Sequence, residues 1–121
     1  MDNYFENLKN IAITVCDAEG NILDMNQPSA DVNSKGQKII GYNLMNCHPE
    51  PAKTKLKGLL EHQELNAYTI EKTLADGSKV KKLIYQTPWY KEDGSFGGLI
   101  EYSIEIPFEM PHYVRQPKPA K

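Results

Sequence analysis

The chain holds only two cysteines, one tryptophan and one arginine, and each scarcity closes off a class of protein. Cys16 and Cys47 lie far apart, so they do not make a disulfide framework, and free thiols suit a reducing cytoplasm. Excess charge of one sign is missing too: 14 basic against 16 acidic side chains leave a net charge of −2. That balance argues against nucleic acid and against an anionic membrane surface, both of which call for a basic patch. No apolar run approaches the roughly 18–20 residues needed to cross a bilayer. The start, Met1-Asp2-Asn3-Tyr4-Phe5-Glu6, has neither the basic end nor the apolar centre of a secretory signal. No CxxC or HxxxH spacing offers a metal site. The expectation is a soluble, cytoplasmic protein of one domain, its 121 residues enough for a core without staples.

What is present reads as short elements punctuated by turns. Asp2 is placed to cap a helix running to about Asn10, with Tyr4, Phe5 and Leu8 on one face. Ile11–Cys16 is rich in β-branched residues, Asp17-Ala18-Glu19-Gly20 closes a turn, and Asn21–Asn26 returns as a second strand. Helical turns are expected around Ser29–Asn33 and Gln37–Ile40, the second ended by Gly41. From Pro49 to about Glu64 a longer helix carries Leu56, Leu59 and Leu60 on one face, roughly 24 Å at about 1.5 Å per residue. Three strands follow, Ala67–Leu74, Lys79–Lys91 and Phe96–Ile106, joined at Asp76-Gly77 and Asp93-Gly94. Pro88 within the middle strand removes a ladder donor and points to a bulge or an edge. The expected class is α+β, a five-stranded antiparallel sheet with helices packed on one face. Residues 1–10 form an N-terminal amphipathic helix, 11–106 the domain and 107–121 an extended, proline-rich tail.

The chain's one adjacent pair of soft-metal ligands is Cys47-His48, within Asn46-Cys47-His48-Pro49-Glu50. A metal set of Cys47, His48 and Glu50 is disfavoured, because neighbours seldom aim at one ion without a turn between them. A Cys-His catalytic dyad lacks an orienting third group, so no enzyme is expected. The default for both cysteines is a small buried hydrophobe. Tyr42, Tyr68, Tyr85, Trp89 and Tyr102 are candidates for the helix-covered side of the sheet, where a buried phenol needs a partner that a polar ligand could supply.

In their order, several local patterns resemble a PAS domain over about Ile11 to Ile106. They are Asp17-Ala18-Glu19-Gly20-Asn21-Ile22 with the later Asn26, Ile40-Gly41 before His48-Pro49-Glu50, Asp76-Gly77-Ser78, and Asp93-Gly94-Ser95-Phe96-Gly97-Gly98. Gly41 to Leu60, with Asn46-Cys47-His48-Pro49, is similar to bacterial PAS domains attached to hemerythrin-like domains. The resemblance implies a sensory module with a ligand or cofactor cleft between sheet and central helix, signalling through protein contacts. The pocket candidates it implies are Tyr42, Leu44, Cys47, His48, Leu56, Leu60, Tyr68, Tyr85 and Tyr102. A homodimer is implied as well, with the Tyr4-Phe5-Leu8 stripe on an outer sheet face.

Three readings of His48 stand side by side: a ring bonded to nearby backbone at a helix start, an axial haem ligand as in haem PAS domains, and the metal set above. Light-sensing PAS domains follow their Asn-Cys with an arginine that binds the flavin phosphate. Here His48 stands in that place and the lone arginine is Arg115, which argues against flavin. The last strand exits through Glu105-Ile106-Pro107, unlike the Asp-Ile-Thr-like exit that couples PAS domains to a coiled coil. The expectation is a free-standing unit acting in trans, either on a ligand or as a ligand-free interaction module.

Overall fold

The computed structural model describes residues 1–119, with Cys47 described by its backbone alone. Three tight turns build the sheet, each around an aspartate that bonds backbone amides ahead of it. Between β1 (Ile11–Asp17) and β2 (Ile22–Met25), Asp17 Oδ1 accepts from the Glu19 and Asn21 amides at 3.0 and 2.9 Å. Gly20 sits there at φ +87°, a backbone region that side chains resist. Asp76 joins β3 (Asn66–Thr73) to β4 (Lys79–Tyr90), and Asp93 joins β4 to β5 (Phe96–Ile106); each accepts from the amide two residues on at 2.9 Å. The five antiparallel strands lie in the order β2-β1-β5-β4-β3, so the first and last strands pair at the centre.

The helices differ from expectation in extent. The first, α1, is a single turn, Asn3–Glu6, and the Asp2 side chain makes no capping bond. α2 covers Gln27–Asn33, capped by Asn26. Gln37–Ile40 is not helical, because the chain just beyond it is committed to the sheet edge. Gly41 N–H donates to the Ile22 carbonyl and Ile22 N–H to the Tyr42 carbonyl, both at 2.8 Å. The next helix, α3, is Leu44–Cys47, and the long helix α4 begins at Ala52 and ends at His62. Glu50 precedes a proline and is therefore steered away from helical geometry, which delays the start expected at Pro49. Eleven residues give about 16 Å instead of the expected 24 Å.

Leu56, Leu59 and Leu60 of α4 pack on Cys16 and Leu99, while Ile22, Met25 and Ala30 form a second buried group under α2. Each fully buried aliphatic side chain contributes about 1.5–3 kcal/mol. Asn26 is wholly buried and uses both ends of its amide. Its Oδ1 accepts from the Ile13 and Ser29 amides, and its Nδ2 donates to the Phe5 and Ile11 carbonyls. One side chain thus ties α1, β1 and α2 together. Pro88 lies past the end of the β3 pairing, where β4 is itself an edge, and a bulge follows between Trp89 and Tyr90. Residues 107–119 form no regular element.

Candidate functional site

Strand register sets one row across the whole sheet, polar on every strand but β2. Met25 pairs with Thr14, Thr14 with Glu101, Glu101 with Gln86, and Gln86 with Asn66. This row lies on the helix-covered face, in phase with Cys16 and Leu99. Above it a cavity of about 290 Å³ is lined by Thr14, Gln86, Glu101, Asn33 and His48 on its polar side. Cys16, Ile22, Met25, Ile39, Leu44, Leu56 and Leu99 supply the apolar side.

The bonding within the row fixes its polarity. A carboxylate only accepts, so Gln86 turns its amide nitrogen to Glu101 Oε1 at 2.7 Å. Its oxygen then accepts from Asn66 Nδ2 at 2.8 Å. Thr14 and Ser29 share a hydroxyl–hydroxyl bond, and Asn33 donates to Ser29. Opposite, His48 Nδ1 lies 2.7 Å from the Leu44 carbonyl. Since that oxygen can only accept, Nδ1 carries a proton, and in the neutral form of the ring Nε2 is the acceptor. Burial pushes the Cys16 thiol up from its ordinary value, with the Asp17 and Glu101 charges adding to it against a backbone bond at Leu99. Its sulfur is therefore a protonated wall atom, not a nucleophile.

The expected pocket residues do not all meet in one place. Leu44, His48 and Leu56 line the cavity. His48 follows α3 as its C-terminal cap, three residues short of the start of Pro51 capping α4, so it does not open the long helix. Tyr68 lies on the same sheet face and lines the adjoining spaces on either side of Glu101, of about 350 and 200 Å³. Partial burial, and then the Glu101 charge, hold its phenol above the usual range. Tyr42 is instead 60% exposed, and Leu60 is buried against the hairpin glycine Gly20. Tyr85 and Tyr102 are cross-strand partners one position out of phase with Gln86 and Glu101, and so they occupy the opposite face. Trp89 lies out of phase likewise, and its indole donates to the Cys16 carbonyl at 3.0 Å. The Cys47 side chain, named for the pocket and for the metal and dyad readings, lies outside the described residues.

Sequence reading missed Thr14, Gln86, Glu101 and Asn66. In β5, Leu99, Glu101, Ser103 and Glu105 alternate with Ile100, Tyr102, Ile104 and Ile106, so the polar phase looks like the solvent face. No group of three or more His, Cys, Asp or Glu side chains suited to a metal occurs among the described residues. A haem fits poorly. The His48 tautomer would suit an axial ligand, but a cavity of about 290 Å³ is at the lower limit for small organic ligands and is faced by the Glu101 carboxylate.

This architecture is the PAS fold. Solved structures similar to the chain include the PAS domain of a Colwellia psychrerythraea protein, with 23% identity, TM-score 0.57, and 84% of this chain and 90% of that one covered. The PAS domain of BvgS from Bordetella pertussis matches with 22% identity, TM-score 0.59, and 86% and 82% covered. The Vibrio cholerae receptor VqmA matches with 14% identity, TM-score 0.63, and 85% and 50% covered, so this chain spans about half of its length. No family model and no curated protein matches the chain.

Proposed function

We propose that the chain is a PAS sensory module that binds a small molecule between the sheet and α4 and passes its occupancy to a protein partner. The observation that carries this reading is the row Thr14–Glu101–Gln86–Asn66 facing an apolar roof across an open space. Polar side chains turned inward are costly unless they are partnered, and a ligand is a natural partner. VqmA, similar in fold, is described with DPO bound, which supports ligand binding in this architecture. A molecule touching both His48 and Leu56 would contact the end of α3 and the body of α4 at once, and so bias their arrangement between two populations.

The output surface is the opposite sheet face. Val15, Ile100, Tyr102, Ile104, Leu83 and Tyr85 share it by register, as does Ile13, which is already buried within the chain. Tyr4 and Phe5 of α1 are exposed as well. A second copy of the chain covering this face gives a homodimer. The Asn46-Cys47-His48-Pro49 pattern supports a bacterial, cytoplasmic setting, and the net charge of −2 supports neither nucleic acid nor membrane as partner. The deciding experiment is mass spectrometry of small molecules released on denaturing protein purified from its host. One compound near stoichiometric amount is expected. Protein that yields none, and that binds nothing in a fragment screen, would favour a ligand-free interaction module.

A further inference from the structure

Glu101 lines all three neighbouring spaces over the sheet: the one beneath Leu44 and Leu56, the one towards Ala52 and Tyr68, and the one towards Ile70 and Lys82. Among the described residues no other lines all three, so the cleft is centred on this carboxylate. Gln86 engages Oε1, and among the described residues Oε2 takes no hydrogen bond and joins no ion pair. With Gln86 and Asn66 oriented by the row, Asn66 Oδ1 is left as an acceptor, and on the facing side so is Nε2 of His48 in its neutral form. Some donors are engaged: one N–H of Asn33 goes to Ser29, and the Thr14–Ser29 bond uses one of the two hydroxyl protons.

Resting on the small-molecule reading above, we infer that the ligand is a small organic cation with N–H donors on an apolar body, an amine, amidine or protonated nitrogen heterocycle, held by the Glu101 carboxylate. An N⁺–H to carboxylate bond is charge-assisted and about twice as strong as a neutral one. A second N–H of the same group would meet His48 Nε2. Cys16, Ile22, Met25, Leu44, Leu56 and Leu99 would take the apolar body. About 290 Å³ limits that body to roughly one ring. Selectivity comes from the surroundings: Lys55 borders one adjoining space, Lys72 and Lys82 the other, and Glu105 pairs with Lys82 in the ladder. A long dication would run into these lysines, whereas a compact monocation would not. An anion in the main cavity would face the Glu101 carboxylate with no lysine among the described lining residues to offset it.

The test uses three probes of one shape and different charge, benzamidine, benzamide and benzoate, titrated into the full chain and followed by amide chemical shifts of Gln86 and Glu101. Benzamidine is expected to bind, benzamide more weakly and benzoate not measurably. Glu101→Gln, nearly isosteric, is expected to weaken benzamidine about ten- to a hundredfold. Benzoate binding as well as benzamidine, or an unchanged Glu101→Gln affinity, would overturn the cation assignment while leaving a small-molecule cleft standing. Failure of all three probes on folded wild-type protein would count against the cleft as a ligand site, and the cation assignment would go with it. The wild-type comparison needs no variant to fold.

Discussion

The indole of Trp89 donates to the backbone carbonyl of Cys16 at 3.0 Å, reaching across the last strand over two glycines. A Cβ on Gly97 would lie 2.4 Å from the Trp89 ring, and one on Gly98 would lie 2.0 Å from the Cys16 carbonyl oxygen. Gly98 also sits at φ +150°, so both space and backbone exclude a side chain. Gly98→Ala is expected to cost about 3 kcal/mol or more. Trp89→Phe, which loses only the bond, should cost about 1–3 kcal/mol. Urea unfolding followed by circular dichroism compares them, and equal effects would contradict the steric account.

Asn26 should be among the least replaceable polar residues. Asn26→Ala removes bonds to Ile13, Ser29, Phe5 and Ile11 in a site without water access, with an expected loss of about 2–4 kcal/mol. Asn26→Asp keeps the acceptor but sets a carboxylate against two carbonyls. Its destabilisation should therefore shrink as pH falls, in urea midpoints taken from pH 7 to pH 4.

Acid stability should depend on the first hairpin. Burial raises the Asp17 pKa, but bonds from Asn21 and then Glu19 outweigh it and hold the carboxyl below its ordinary 3.8. A carboxyl depressed in the folded state contributes stability above the unfolded value, and that contribution is lost as pH falls through the lower folded value. Unfolding midpoints of the wild type are thus expected to drop below about pH 4, and Asp17→Asn to flatten that part of the curve. Asp17 is only partly buried, so the effect should be modest.

The dimer reading makes the outer sheet face the sensitive one. Ile104, paired with Ile11 and Leu83, is central to it. Ile104→Glu is expected to convert a dimer to a monomer in light scattering without loss of secondary structure. Wild-type protein that stays monomeric at high concentration would remove the dimer.

Absorbance tests the fit at His48 directly. Protein from its host is expected to show neither a Soret band nor flavin bands. A Soret band abolished in His48→Ala would reverse the judgement from cavity size.

Much of this was legible in one dimension. The Asp-Gly turns, the β-branched runs and the Leu56–Leu59–Leu60 stripe are local signals, and local bonding and periodicity suffice to place them. The helix boundaries at Pro49 and Gln37 were not, because each depended on a competing partner: a proline constraint in one case, and the Ile22 edge in the other.

By itself the sequence determined the class of fold, the order of its strands along the chain and the turns between them, since these follow from short-range chemistry. Only the tertiary structure decided which face of each strand looks inward. Alternation marks two faces but does not say which one the helices cover. That choice turned Glu101, Gln86 and Thr14 inward in one row and Tyr85 and Tyr102 outward, because α4 packs on Cys16 and Leu99 and every strand takes its phase from that contact.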